Sequence, residues 1–175
     1  PLRQVRISDS NRNGTTIETE WNLGALLGKD WPGVDIGLML DYYFDRGAAI
    51  GLDGEWDRER HRGGIFAYLL PDDTGRDRLA TGTRIDRDGE TRGIFLGQDL
   101  WNFRENWTLV SELSYISDEA FVPAFFQNLG KETDDFRNRL ILERGGEQTN
   151  FALEVSAAQG DIIAAEHLLQ SQGYR

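Results

Sequence analysis

The sequence predicts an all-β protein, an antiparallel up-and-down meander of about nine or ten strands. Three observations predict this fold class. Apolar and polar residues alternate with a period of two, turn-forming residues separate the alternating segments, and each segment is roughly 10 to 13 residues long. Strands of soluble proteins average ~5–6 residues, whereas a strand that crosses a membrane needs ~9–11.

Segment 34–45 shows the alternation most clearly. Its even positions are apolar, from Val34 to Phe44, and its odd positions are mostly polar or small, as at Asp35 and Asp41. Successive side chains of a strand point to opposite faces, so this segment has one apolar and one polar face. The same pattern occurs in segments 17–25, 48–57, 107–115, 136–142 and 151–157. Segments 64–70 and 91–103 carry apolar residues on both faces.

The turns between these segments differ in length. Asp45-Arg46-Gly47, Arg104-Glu105-Asn106 and 145–148 are short and are predicted on one side of the sheet. Segment 117–134 is the longest connection and is predicted on the other side. Short turns on one side and long loops on the other are typical of outer-membrane barrels, although 71–78 falls on the short side and is not short.

Two segments have helical features. Ser117 is an N-cap candidate followed by acidic residues, but Pro123 favours a loop with one turn of helix. Segment 161–170 contains good helix formers and is either a short helix or the start of a strand.

Length and charge narrow the function classes. The chain has 175 residues, and 19 Lys and Arg against 30 Asp and Glu give a net charge of −11, which excludes a nucleic-acid partner. The lack of Cys excludes disulfides and thiolate metal sites. We expect a single β-barrel region over 1–175. Since the chain begins at Pro1 and carries no signal peptide, we expect this region to be a fragment of a larger barrel.

Alternation alone fits two architectures. In an outer-membrane barrel the apolar face contacts lipid and the polar face lines a wet lumen. In a soluble lipocalin-like β-barrel or sandwich, a binding module, the apolar face points inward. Aromatic residues near the predicted strand ends favour the membrane barrel, because such residues form interfacial girdles. These residues are Tyr42, Tyr43, Phe44, Trp101, Phe103, Trp107 and Tyr115.

The sequence gives little support for catalysis, and we expect neither an enzyme nor a cofactor or metal site. His61 and His167 are far apart and are predicted as surface residues. The pairs Asp72-Asp73 and Asp134-Asp135 could bind divalent cations but are predicted as solvated loops. The repeated Arg-Gly pairs, such as Arg46-Gly47 and Arg92-Gly93, are predicted as hairpin edges. A barrel enzyme acting on lipid is therefore the weakest of three hypotheses.

Three segments resemble one family, the LPS-assembly proteins (LptD, organic solvent tolerance). The first, 41–56, reads DYYFDRGAAIGLDGEW, an extended strand that runs into Arg-Gly and a following strand with an acidic and aromatic end. The second, 64–73, reads GIFAYLLPDD and is similar to the family's next strand. The third, 114–121, reads SYISDEAF and looks like its Tyr-x-Ser-Asp-x-x-Phe segment. The matches occur in family order and span roughly 15–159, most of the chain.

This resemblance implies a function and a location. Members of the family are barrels in the outer membrane of Gram-negative bacteria that insert lipopolysaccharide into the outer leaflet. Their partners are lipopolysaccharide, membrane lipid, a lipoprotein plug in the lumen and periplasmic bridge proteins. The chain would then be the N-terminal part of the barrel, and its first strands would lie at the family's lateral gate.

The expected site residues follow from that comparison. Strands 15–27 and 34–45 are the gate candidates, and the residues that could weaken strand pairing there are Gly24, Gly28, Pro32 and Gly33. The alternative is an ordinary Gly/Pro loop. The candidate lumen-facing residues are Asp41, Asp53, Glu55, Asp57 and Glu112.

Overall fold

Long antiparallel strands dominate the computed structural model, which describes residues 1–79, 81–126, 138–146 and 150–157. Nine strands form one sheet, and each pairs with its neighbours along the chain. They are β1 (Leu2–Ser10), β2 (Gly14–Asn22), β3 (Val34–Tyr43), β4 (Gly47–Arg58), β5 (His61–Asp73), β8 (Glu90–Arg104), β9 (Trp107–Ile116), β10 (Asn138–Arg144) and β11 (Phe151–Ala157).

The remaining elements are short and lie in the connections. Strands β6 (Arg76–Arg78) and β7 (Arg84–Asp86) pair with each other between β5 and β8. Helix α1 (Leu23–Leu27) follows β2, and helix α2 (Phe121–Phe125) follows β9. Within the described part of the chain, no helix is long and apolar enough to cross a membrane. The predicted all-β, antiparallel up-and-down meander is confirmed, and no described pairing joins β1 to β11.

The strand register carries the alternation across the whole sheet. Directly opposed residues share a face, and one row joins Leu38, Leu52, Ala67, Phe95 and Tyr115 from β3 to β9. We call this side the apolar face. A second row joins Asp35, Glu55, Gly64, Gln98, Glu112 and Arg139 from β3 to β10. We call this side the polar face.

The apolar face is exposed, and the buried core lies on the opposite side of the sheet. Large apolar side chains that are exposed on this face include Val5, Ile7, Ile17, Leu40, Ile50, Leu69, Leu113, Leu140, Leu153 and Val155. The core residues that lie on strands are Tyr43, Ala49, Tyr68, Leu70 and Ile94. All five belong to the polar face and lie near one end of it.

The predicted strand 15–27 is wrong in its last third. Strand β2 ends at Asn22, whose side-chain oxygen accepts a hydrogen bond from the Ala25 N–H at 2.8 Å and so caps α1. The helix ends at Gly28, which adopts the left-handed conformation with φ 63° that a helix C-terminus commonly uses.

The predicted placement of the short turns on one side is also wrong. The turns at Arg46 and Glu105 can lie on one side only if the segment between 78 and 86 crosses the main sheet as a further strand. In the structure this segment belongs to the separate β6–β7 hairpin, so the chain crosses the sheet one time fewer. The turn at Arg46 therefore lies at the end of the sheet where β5 and β9 end, whereas the turn at Glu105 lies at the opposite end.

Of the other sequence predictions, one concerns described residues and the rest fall on residues outside them. The loop with one turn of helix predicted after Ser117 is confirmed, but the helical turn lies at Phe121–Phe125, and Ala120 rather than Ser117 occupies its N-cap position. The predictions for 161–170, His167 and Asp134-Asp135 fall outside the described residues.

Candidate functional site

The chain segment after β9 folds back over the polar face. We call residues 117–126 the strap. Phe121 is fully buried, and the Phe125 ring packs edge-on against Tyr43 with centroids 5.3 Å apart. Phe126 makes the same kind of contact with Tyr68 at 5.0 Å and with Phe66 at 5.1 Å. The strap thus covers one end of the polar face, and aromatic packing accounts for the core found there.

Asp118 fastens the start of the strap. Its two carboxylate oxygens accept hydrogen bonds from Arg92 of β8, Oδ2 from Nε at 2.8 Å and Oδ1 from Nη2 at 2.7 Å. Arg87 Nη2 donates to the same Oδ1 at 3.1 Å. Within the strap, the Ser117 hydroxyl and the Ala120 N–H also donate to this carboxylate. This bidentate pairing with Arg92 is the strong, directional form of a carboxylate–guanidinium contact.

Beneath Asp118 the ion pairs continue into the interior. Arg46 Nη1 donates to Asp73 Oδ2 at 3.0 Å, and its Nη2 donates to Asp77 Oδ1 at 2.7 Å. Arg92 Nη1 contacts Asp73 as well, and it lies 2.9 Å from Asp77 Oδ2. Arg87 Nε donates to Asp77 Oδ2 at 2.8 Å. We call the six residues Arg46, Asp73, Asp77, Arg87, Arg92 and Asp118 the ion-pair cluster.

Burial distinguishes this cluster from surface ion pairs. The side chains of Arg46 and Asp73 are 0% exposed, and those of Arg92 and Asp77 are 2% exposed. Three guanidinium groups meet three carboxylates, and Glu90 pairs with Arg87 at the exposed rim. A buried charge is tolerated only when it is paired and hydrogen-bonded. The cluster meets that condition, because each of its carboxylates accepts bonds from at least two groups.

Local sequence features bring these residues together. Gly47, the first residue of β4, has φ 118° and directly follows the turn that contains the buried Arg46. Gly75 leaves room for that arginine, because a Cβ at 75 would lie 2.4 Å from Arg46 Cγ. The guanidinium of Arg46 lies 4.9 Å from the ring centroid of Phe125, so the strap contributes a cation–π contact to the cluster.

The electrostatics of Asp118 follow from its partners. Burial acts to raise the pKa of Asp118, but the guanidinium groups of Arg92 and Arg87 and the Ser117 hydroxyl outweigh burial. The pKa of this carboxyl therefore lies below its usual range, and the ionised form is the one the cluster holds.

A second chain of hydrogen-bonded polar groups lies under Phe125 and Phe126, the last two residues of the strap. The hydroxyl oxygens of Tyr43 and Tyr68 are 2.9 Å apart, and the Tyr68 hydroxyl donates to Asp41. Asp41 also accepts the Thr19 N–H at 2.9 Å. A cavity of about 180 Å³ opens beside these groups, between the strap residue Phe126 and β1 to β3.

The structure places all five candidate lumen-facing residues on the polar face. Glu55 and Glu112 belong to the row defined above, while Asp41 and Asp53 are opposed to Ala49 and Gly37. Asp57 lies towards the opposite end and pairs with Arg62, where both side chains are 73% exposed. Glu112 forms a two-point ion pair with Arg139. That this face lines a lumen stays a prediction.

The gate candidates lie elsewhere than expected. Gly24 is inside α1, Gly28 caps that helix, and Pro32 and Gly33 belong to the connection that leads into β3. None of the four is in a strand, so they cannot weaken a strand ladder. Gly33 has φ 71°, and its carbonyl accepts the Asp57 N–H at 2.8 Å, so it shapes the connection instead.

Sequence reasoning missed the ion-pair cluster. Asp73 was expected in a solvated loop and is fully buried, and Arg46 and Arg92 were expected as simple hairpin edges. The usable signal was the concentration of Arg and Asp in the turns at one end of the meander, together with three Phe residues in the connection after β9.

No protein-family model matches the chain, and no curated protein matches it.

Proposed function

We propose that this chain is part of an outer-membrane β-barrel that carries lipopolysaccharide to the outer leaflet of a Gram-negative bacterium. One observation carries the proposal. The meander leaves its apolar face exposed and turns a charged, ion-paired face the other way. A soluble lipocalin-like barrel or sandwich would bury the apolar face, whereas a membrane barrel presents it to lipid.

Strand length supports a membrane span. Strand β3 has ten residues, which at ~3.3 Å per residue and a tilt of ~40° cover about 25 Å along the membrane normal. The apolar band of outer-membrane barrels has that height, ~25 Å. Strands β4 and β5 are longer, with twelve and 13 residues, and so reach beyond the band into the headgroup region.

Aromatic residues mark both borders of this band. Tyr42 and Phe44 are exposed at the end that carries the strap, and Trp101 is exposed towards the opposite end, where it contacts Phe103. Such aromatic girdles occur at the two membrane–water interfaces of barrels. Their presence at opposite ends of one exposed apolar face supports a transmembrane orientation of the strands.

The lipopolysaccharide cargo rests on the resemblance of segments 41–56, 64–73 and 114–121 to the LPS-assembly family. The polar face offers carboxylates and guanidinium groups that a hydrated saccharide can hydrogen-bond. We include in the proposal a lipoprotein plug and periplasmic bridge proteins as partners, and we assign no catalytic step and no cofactor to the chain.

Photo-crosslinking in the full-length protein tests this function. A photoreactive amino acid in place of Asp53 on the polar face should crosslink to lipopolysaccharide in cells, and the yield should fall when lipopolysaccharide synthesis is blocked. The matched control replaces the adjacent Leu52 on the apolar face, where crosslinks to bilayer lipid should persist during that block. Recovery of the protein in the soluble fraction, or the lack of a lipopolysaccharide adduct at 53, would contradict the proposal.

A further inference from the structure

Asp118 differs from the other carboxylates of the ion-pair cluster. Its side chain is 24% exposed, whereas those of Asp73 and Asp77 are 0% and 2% exposed. It is also the only cluster residue that belongs to the strap. The other five residues lie in the β3–β4 turn, in β5, β6 and β8, and in the segment before β8, and one carboxylate on a separate segment closes the group from outside.

If the strap moves away, Arg92 loses two hydrogen bonds to Asp118. Its Nε and Nη2 groups both donate to Asp118, at 2.8 and 2.7 Å, and its side chain is 2% exposed. Glu90 contacts Arg87 and not Arg92, so no described neighbour takes over these two donors. Buried donors without a partner are costly. An anion that takes the position of the carboxylate restores these charge-assisted hydrogen bonds and so lowers the cost of moving the strap.

The donors around Asp118 fit a phosphate group. Arg92 presents two parallel N–H groups, and Arg87 Nη2 approaches the same carboxylate oxygen from a second side at 3.1 Å. A phosphate offers three acceptor oxygens, and a guanidinium fork matches phosphate and carboxylate geometry equally well. The two other donors to Asp118, the Ser117 hydroxyl and the Ala120 N–H, are in the strap and would leave with it.

We propose that Arg87 and Arg92 form a phosphate-binding site that Asp118 occupies in the closed state, and that a phosphate bound there releases the strap. A phosphate takes over the three N–H donors, and the strap then leaves Tyr43, Ala49 and Tyr68 uncovered. The ligand of this site is a phosphate group, either as a phosphate monoester or as inorganic phosphate. That the phosphate belongs to lipopolysaccharide rests on the proposed function, whereas the phosphate site itself does not.

A buried position under the strap reports the opening. Ala49 is 5% exposed and packs in the same core as Phe121 and Val122. In full-length protein whose only thiol is Ala49→Cys, reconstituted in lipid vesicles, the rate of reaction with a charged maleimide measures access beneath the strap. Asp53→Cys is the control, because Asp53 is exposed on the same face outside the strap.

Two comparisons test whether Asp118 holds the strap closed. Adding Asp118→Asn to Ala49→Cys should speed labelling about tenfold to a hundredfold, as expected for losing charge-assisted hydrogen bonds. Asp57→Asn, which removes a carboxylate from an exposed pair, is the matched control and should leave the rate unchanged. Equal rates in the Asp118→Asn and Asp57→Asn proteins would overturn the proposal.

The phosphate experiments use the Ala49→Cys protein with Asp118 intact, so they can be interpreted even if Asp118→Asn fails to fold. Inorganic phosphate, or phosphorylated lipopolysaccharide but not its dephosphorylated form, should speed labelling relative to chloride at equal ionic strength. A response to inorganic phosphate identifies a general phosphate site, and a response to the phosphorylated lipid alone identifies a lipid-borne phosphate. No response to either source would overturn the site. Neither readout requires transport, so the site and the proposed function can fail separately.

Discussion

Replacing Asp73 with alanine should cost far more stability than replacing an exposed aspartate of the same face. Asp73 is fully buried and accepts bonds from Arg46 at 3.0 Å, from Arg92 and from the Gly75 N–H at 2.9 Å. Removing one partner of a buried ion pair costs about 3–5 kcal/mol, because the remaining charges lose their compensation. For Asp57→Ala, whose pair with Arg62 is 73% exposed on both sides, the expected loss is about 0–1 kcal/mol.

The free energy of unfolding can be measured by urea titration of the full-length protein in lipid vesicles, followed by tryptophan fluorescence. The Asp73→Ala transition should move to clearly lower urea, and the Asp57→Ala transition should stay near that of the wild type. A double variant, Asp73→Ala with Arg92→Met, should recover part of the loss because it removes an uncompensated charge as well. Equal midpoints for the two single variants would refute the view that the cluster is a buried, stabilising group.

Three further predictions concern the apolar face, pH and packing around Arg46. Leu40→Arg on the exposed apolar face should destabilise the protein in vesicles by about 2–4 kcal/mol at the bilayer midplane, and an unfolding free energy equal to that of the wild type would contradict contact between this face and lipid. Because the pKa of Asp118 is lowered on folding, its stabilising contribution is complete above the ordinary carboxyl range and is lost as pH falls through the lowered pKa. The difference in unfolding free energy between wild type and Asp118→Asn should therefore shrink on acidification. A difference that stays constant with pH would contradict a stabilising role of the ionised carboxylate. Gly75→Ala should cost about 1–3 kcal/mol through overpacking against Arg46, whereas Gly145→Ala, with nothing within 4 Å of the added Cβ, should be silent in the same urea titration.

The strands were predictable because their signal is local. The alternation around Leu40 and Asp41 needs only neighbouring residues and the period of two, and the register then repeats it from strand to strand. The common face of Asp41, Asp53 and Glu112 followed from the same parity. The position of the short turns did not follow, because one miscounted strand, the β6–β7 segment, exchanges the two ends of every later strand.

The ion-pair cluster was beyond sequence reasoning for a different reason. Its members come from the turn at Arg46, from the stretch between Asp73 and Arg92, and from the strap at Asp118, and the antiparallel strand order brings them together at one end of the sheet. Isolated Arg and Asp residues in turns normally indicate solvated positions. Their burial depends on Phe121 and Phe125 folding over them, and that contact spans strands rather than neighbouring residues.

One contact of the strap measures how strongly the sheet bends. Arg12, in the turn between β1 and β2, donates a hydrogen bond to the carbonyl of Pro123, 111 residues away in sequence. Five or six strand spacings of ~4.8 Å separate β9 from that turn, or about 24–29 Å along the sheet. The six Cα–Cα steps from Ser117 to Pro123 reach at most about 22 Å when fully extended, and the helical turn at Phe121–Phe125 makes the strap shorter than that. The strap is therefore a chord across an arc, and it ties the first hairpin to the seventh strand of a sheet that curls towards its polar face.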